Sequence, residues 1–116
     1  AVARVSYVGL ESSPYHALAR KYLRRGFGSV FTIALKGGFA AGVRAVESVE
    51  LLSHLANIGD TRSLIIHPAS TTHRQLTEEQ QIRAGAGPDV IRLSIGLESV
   101  DDLIFDLDRA LRAASA

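Results

Sequence analysis

The sequence contains no cysteine, methionine or tryptophan among its 116 residues. Without cysteine the chain has no disulfide framework, no thiolate nucleophile and no cysteine-ligated zinc site. Methionine is missing even at position 1, which is explained either by removal of an initiator methionine or by excision from a longer protein. No apolar run reaches the ~20 residues that a membrane-spanning helix needs, and no signal segment opens the chain. We therefore expect a soluble, cytoplasmic protein with no membrane partner.

An excess of charge of either sign is also missing. The 13 basic and 12 acidic residues give a formal charge of +1. Basic residues adjoin only as Arg20-Lys21 and Arg24-Arg25, a spacing that indicates the solvated side of one helix. Proteins that bind nucleic acid cluster Lys and Arg along one face, so we expect no nucleic acid partner.

The residues that are present indicate one globular domain over residues 1–116. A hydrophobic content of 47% and a charged content of 22% exclude a disordered chain, and the length suits a single self-sufficient core. Hydrophobic periodicity and turn residues predict strands over 2–8, 29–35, 63–66 and 90–95, and helices over 14–25, 39–52, from 77 to Gly85 or Gly87, and from 100 onward. This β-α-β-α-β-α-β-α order predicts the α/β class: an α/β sandwich with helices packed on one sheet of about four strands.

Particular residues mark the ends of these helices. Ser13 before Pro14 is predicted to cap the first helix, and Gly26 to end it. Thr77 and Gln80 have the spacing of a capping box, and Ser99 is predicted to cap the last helix. The apolar stripes that would face the sheet are Phe39, Val43, Val46 and Val49 in the second helix and Val100, Leu103, Ile104, Leu107 and Leu111 in the last.

Arg92 is the most informative candidate for chemistry. Ile91, Leu93 and Ile95 share one face of the last predicted strand, so Arg92 and Ser94 point away from the core. A guanidinium among apolar strand neighbours needs a partner, and its planar fork fits a carboxylate in bidentate fashion. An internal salt bridge, an edge-strand arginine in water and a site for a ligand carboxylate all remain open from spacing alone.

Residues 67–73 (His-Pro-Ala-Ser-Thr-Thr-His) combine two histidines and three hydroxyls. A metal site would need a third ligand, and no acidic residue lies nearby at ligand spacing. A hydrolase would need a Gly-x-Ser-x-Gly elbow, which the sequence lacks. We predict a loop whose hydroxyls bond their own backbone, and no metal site.

Glycine pairs offer two weaker candidates. Gly26-Phe27-Gly28 precedes a strand and lacks the third glycine of a dinucleotide-binding loop. Gly37-Gly38 follows a strand and precedes a helix, so an anion site is conceivable there, but a turn is the ordinary interpretation. Lys36 beside it has the position of a solvated strand-end lysine.

The order of residues adds a resemblance to a known family. Residues 5–16, 35–38, 53–60, 63–73 and 91–98 together resemble the C-terminal domain of the Cys/Met-metabolism family of pyridoxal-phosphate enzymes. The resemblance covers nearly the whole chain. It implies the small C-terminal domain of the aspartate-aminotransferase-like, type I fold.

Within the family, the run Leu-Ala-Asn-Ile-Gly-Asp-Thr-Arg-Ser-Leu over residues 55–64 is similar to the O-acetylhomoserine sulfhydrylase branch. That branch converts O-acetylhomoserine and sulfide into homocysteine and acetate. By its place in the Arg-Leu-Ser motif, Arg92 matches the arginine that binds the substrate α-carboxylate. Asn57 matches a position, serine in other branches, that lines the same pocket.

The resemblance also implies what this chain lacks. The family's Schiff-base lysine and its cofactor-binding residues belong to a larger preceding domain, and neither Lys21 nor Lys36 has the matching surroundings. We therefore expect no catalytic and no cofactor-binding residue in this chain, pyridoxal 5'-phosphate bound by the absent large domain, and a homo-oligomer, usually a homotetramer in the family. Alternatives are a cystathionine γ-synthase, a γ-lyase, an O-succinylhomoserine sulfhydrylase, or a free-standing regulatory module that binds amino acids.

Overall fold

A computed structural model of the chain describes all 116 residues. Four helices and five strands follow one another as β1 (Val2–Ser6), α1 (His16–Tyr22), β2 (Val30–Leu35), α2 (Gly38–Ser48), β3 (Ser53–His54), β4 (Leu64–Ile66), α3 (Glu78–Arg83), β5 (Val90–Ser94) and α4 (Val100–Ser115), with a 3-10 turn over Pro68–Ser70. The predicted α/β class is confirmed.

The strands form one mixed sheet in the order β1-β2-β5-β4-β3. Neighbouring strands pair antiparallel except β3 and β4, which are parallel. β5 therefore lies in the middle of the sheet, between β2 and β4. The sequence predicted about four strands and missed β3, because a two-residue strand has no periodicity to detect.

The hydrophobic core lies between one face of this sheet and the helices α2 and α4. Its members include Ile91 and Leu93 of β5, which have no exposed surface, together with Leu103 and Ala114 of α4. The alternation of β5 therefore directs its large aliphatic side chains to the helices and leaves Arg92 for the other face, as predicted.

The helix faces differ from the predicted stripes. The buried residues of α2 are mostly small, Ala41, Gly42, Ala45 and Val46, while Phe39 is 49% exposed. In α4, Val100 and Ile104 are 65% and 61% exposed. Because α2 packs on α4 as well as on the sheet, small side chains are needed where the two helices meet. The predicted stripes are therefore confirmed only in part, since Val46 and Leu103 belong to the core and Val49, Leu107 and Leu111 pack against it.

One of the three predicted caps is wrong, because the N-cap of α1 is Tyr15 and not Ser13. Ser99 is the N-cap of α4, as predicted, although its side chain makes no capping bond. Ser13 instead accepts a hydrogen bond from the Tyr15 N–H within a turn (3.3 Å). α1 ends at Tyr22, before Gly26, whose φ of 134° lies in the region that favours glycine. No helix of the structure is both long and apolar enough to cross a membrane.

Candidate functional site

Arg92 lies at the centre of the sheet face that α2 and α4 leave uncovered. Its strand neighbours are Thr32 on β2 and Ile66 on β4. The guanidinium takes part in none of the ion pairs of the chain. Its one hydrogen bond runs from Nη2 to the carbonyl oxygen of Asn57, at 3.4 Å. The structure therefore contradicts both an internal salt bridge and an edge-strand position.

Asn57 lies beside Arg92, in the loop of residues 55–62 that joins β3 to β4. Its backbone carbonyl meets Arg92, whereas its side-chain Oδ1 accepts the N–H of Ile58 at 2.8 Å. The Gly59 N–H approaches the Ser94 hydroxyl at 3.4 Å. The structure thus brings both predicted site residues together, although the Asn57 side chain is turned toward its own backbone.

The same loop is stiffened by Asp60. Its carboxylate accepts the Arg62 backbone N–H at 2.9 Å and pairs with the Arg62 side chain at 3.4 Å. These bonds from the Arg62 backbone and guanidinium lower the pKa of Asp60. The carboxylate of Asp60 therefore pairs with Arg62 and not with Arg92.

Glu98 is a further residue of this region, and residue patterns gave it no role. Its two carboxylate oxygens accept the backbone N–H and the hydroxyl of Ser63, both at 2.7 Å. The Ser63 hydroxyl in turn accepts the Gly96 N–H at 2.8 Å. The backbone bond and then the hydroxyl bond from Ser63 lower the pKa of Glu98. Only the fold shows this contact, since 35 residues separate the partners.

The segment 67–73 is a structural loop, as predicted. His67 is fully buried, with Nε2 at 2.7 Å from the Pro88 carbonyl and Nδ1 at 2.9 Å from the Ser70 hydroxyl. Because a carbonyl can only accept, these partners assign the ring proton to Nε2. The Thr71 hydroxyl donates to the His67 carbonyl at 2.8 Å. No group of three or more His, Cys, Asp or Glu side chains is arranged to hold a metal ion.

The remaining candidates lie away from Arg92. Gly37 and Gly38 open α2 in a turn, and Gly38 has a φ of 63°, so the ordinary interpretation holds. Lys36 is exposed, and so is Lys21, whose Nζ lies 5.1 Å from the centre of the Tyr22 ring. Neither lysine is enclosed by other residues in the way that a desolvated, reactive amine requires.

The family model for Cys/Met metabolism PLP-dependent enzymes matches residues 1–112. The chain belongs to this family. The match includes every element of the sheet, the Arg92 strand and the loop of residues 55–62. It confirms the resemblance that the motifs carried, and with it a pyridoxal-phosphate-dependent enzyme family.

Relatives with assigned activities agree with this membership. The chain is 53% identical over 110 residues to O-acetyl-L-homoserine sulfhydrylase 1 of Thermus thermophilus, covering 95% of this chain and 26% of the relative. Its backbone matches a Campylobacter jejuni protein assigned as an O-acetylhomoserine (thiol)-lyase, with a TM-score of 0.88 and 43% identity, over 96% of this chain and 26% of that one. The latter structure contains N'-pyridoxyl-lysine-5'-monophosphate.

A second activity appears among the solved structures. Cystathionine gamma synthase of Xanthomonas oryzae, in complex with cystathionine, matches with a TM-score of 0.86 and 39% identity, over 98% of this chain and 29% of that one. The chain therefore spans between a quarter and a third of the length of the relatives it matches. Similarity alone does not separate the sulfhydrylases from the cystathionine synthases.

Neither lysine of this chain has a setting that fits pyridoxal phosphate. A lysine that holds it needs an enclosed setting, and both lysines are exposed. What the chain does offer is a cation, Arg92, without a carboxylate partner. The site is therefore equipped to bind an acidic group and to orient it.

Proposed function

We propose that this chain is the carboxylate-binding C-terminal part of an O-acetylhomoserine sulfhydrylase. In this reaction the bond between the side-chain carbon of O-acetylhomoserine and the acetate oxygen breaks, and a bond to the sulfur of sulfide forms. The products are homocysteine and acetate. The 53% identity to the Thermus thermophilus sulfhydrylase supports this member of the family.

The observation that carries the proposal is the unpaired charge of Arg92. Arg92 is a half-buried residue in the middle of the sheet, and its guanidinium makes one exposed hydrogen bond of 3.4 Å and has no carboxylate partner. An amino-acid substrate brings such a carboxylate, and the guanidinium fork can bind it through two parallel hydrogen bonds.

The part of this chain in the reaction is binding and orientation. Pyridoxal phosphate supplies the electron sink for chemistry at the substrate Cα. We propose that a large domain of the same polypeptide holds it, so that this chain alone is inactive. Arg92 then fixes the α-carboxylate, and fixing that end of the substrate sets the direction of the Cα–H bond.

The test is the replacement of Arg92 by Ala in the full-length protein. We expect the KM for O-acetylhomoserine to rise about 30- to 1,000-fold, which corresponds to the loss of roughly 2–4 kcal/mol from a bidentate charged contact. Cofactor loading, followed by the absorbance of bound pyridoxal phosphate, should persist. Arg92→Lys should recover part of the loss, because lysine keeps the charge but not the fork.

The matched control is Arg83→Ala. Arg83 lies on the surface of α3 and pairs only with Glu79, so its loss should leave the KM unchanged. A KM for Arg92→Ala equal to that of the Arg83 variant would show that Arg92 does not bind the substrate.

The nearest alternatives within the family are a cystathionine γ-synthase, a γ-lyase and an O-succinylhomoserine sulfhydrylase. The cystathionine γ-synthase is included in the test because the chain matches the structure of such an enzyme with a TM-score of 0.86. Supplying sulfide or cysteine as the nucleophile, with acetyl- or succinylhomoserine, distinguishes them by product. Homocysteine formed preferentially from the acetyl ester and sulfide supports the proposal, and cystathionine as the main product contradicts it.

We also propose that the full-length protein is a homo-oligomer and that it lies in the cytoplasm. The rival from another class is a free-standing module that binds amino acids for regulation. The reading frame upstream of Ala1 separates the two, because an enzyme of the length of the Thermus thermophilus relative, of which 110 matched residues are 26%, has roughly 300 further codons that include a lysine motif. Their absence would favour the regulatory module.

A further inference from the structure

We propose that Glu98 is a positioning residue for substrate binding, which fixes the loop of residues 55–62 against Arg92. This inference rests on the proposed function, since it concerns the pocket for the substrate carboxylate. The inference goes beyond the proposed function because it assigns a role to Glu98, a residue that does not touch the substrate.

The first observation is the way in which the loop is attached. It leaves β3, passes Arg92 at Asn57, and reaches β4 through Ser63. Ser63 is fully buried, and both its N–H and its hydroxyl donate to the Glu98 carboxylate at 2.7 Å. A charged acceptor with two short bonds to one residue fixes both the position and the rotation of that residue.

The second observation is a close backbone contact beside this carboxylate. The Leu97 N–H donates to the Thr61 carbonyl at 2.8 Å. A Cβ on Gly96 would collide with the same carbonyl and with the Arg62 backbone. The segment after β5 and the end of the loop therefore lie as close as two backbones can, and only glycine allows it.

These contacts link the two parts of the pocket. Arg92 is on β5, and the segment that carries Gly96 and Glu98 directly continues that strand. Asn57 belongs to the loop that Glu98 holds. Since Arg92 and Asn57 meet through one long hydrogen bond of 3.4 Å, that bond alone does not hold the loop in place.

Glu98→Ala in the full-length protein removes both acceptors. We expect the kcat/KM for the amino-acid substrate to fall about 10- to 100-fold, because a shift of about 1 Å in a positioning group costs up to ~100-fold. Glu98→Gln should have an intermediate effect, because its amide retains one acceptor oxygen.

A pair of unreactive ligands distinguishes positioning from general destabilisation. L-2-aminobutyrate carries an α-carboxylate, and 1-propylamine is the same molecule without it. Their affinities for the holoenzyme are measured by the change in absorbance of bound pyridoxal phosphate. Glu98→Ala should weaken the binding of 2-aminobutyrate at least fivefold more than that of propylamine, because only 2-aminobutyrate has the carboxylate that the displaced pocket binds.

Gly96→Ala tests the same arrangement without removing a charge, because the added methyl group pushes the loop away. It should produce the same selective loss and serves where the Glu98→Ala protein fails to fold. Glu79→Ala is the control, since Glu79 is an exposed acid paired only with Arg83. It should change neither affinity.

Equal losses for both ligands, or none, would overturn the positioning role of Glu98. The outcome for Arg92→Ala keeps this failure separate from a failure of the proposed function. If Arg92→Ala selectively weakens 2-aminobutyrate and the Glu98 and Gly96 variants do not, only the positioning role is wrong. If the Arg92 variant has no effect either, the carboxylate-binding function itself is wrong.

Discussion

Asp106 is the residue on which the packing of α4 depends most clearly. Its carboxylate is buried beside the end of α2, where it accepts the backbone N–H groups of Glu50, Leu51 and Leu52 at 2.9, 2.8 and 3.0 Å. Arg109 donates to the same group at 2.8 Å. Burial acts to raise the pKa of Asp106, but these hydrogen bonds outweigh it and the pKa lies below its ordinary value of 3.8.

Asp106→Asn should therefore lower the free energy of unfolding by about 2–4 kcal/mol, because a charged acceptor is replaced by an amide whose NH₂ faces N–H donors. A lowered pKa contributes stability above the unfolded-state value near 3.8, and this contribution is lost as the pH falls through the folded-state pKa. Urea unfolding at several pH values measures both effects.

The exposed Asp108, paired with Arg112, is the control, and Asp108→Asn should cost under about 1 kcal/mol. A difference between wild type and Asp106→Asn that does not become smaller at acidic pH would contradict this account.

At the scale of the element, α3 depends on its capping box more than on its packing. It has six residues, of which only Gln81 is buried. The Thr77 hydroxyl accepts the Gln80 N–H at 3.3 Å, and the Gln80 side chain accepts the Thr77 N–H at 2.9 Å, as the spacing predicted. So short a helix has little stability of its own.

Thr77→Ala should destabilise α3 by about 1 kcal/mol, because one of the two reciprocal bonds is lost. Hydrogen exchange of the amides in residues 80–84 measures this directly, and those amides should exchange faster. Thr77→Ser keeps the hydroxyl and should exchange like wild type. Equal exchange in the Ala variant would show that contacts of Gln81 with the Ala69 and His73 carbonyls hold the helix instead.

At the scale of the whole molecule, the chain has a core of its own, and both of its lysines are exposed. The core joins the strands β2, β4 and β5 to α2 and α4. We therefore expect the 116-residue chain to fold, as judged by circular dichroism, yet to form no lysine-bound pyridoxal phosphate and no homocysteine. A cofactor absorbance band that disappears when Lys21 and Lys36 are both replaced by Arg would contradict this expectation, since one of them would then be the bound lysine.

Much of the fold was predictable because its signals are local. Alternation in β2 and β5 and the capping box of α3 each involve residues a few positions apart, and the structure has them as predicted. The direction in which Arg92 points also follows from alternation alone. The family followed from motifs spread along the chain, and the family model confirms it.

The tertiary structure decided what touches Arg92. No pattern showed that the Asn57 backbone would meet it, that Glu98 would hold Ser63, or that Asp106 would be buried. The first two contacts each join residues 35 positions apart, and they exist because β4 pairs with β5 and brings the adjoining loops together. Periodicity reports which face of an element is apolar, whereas strand order determines which polar groups meet, and strand order depends on the packing of the whole chain.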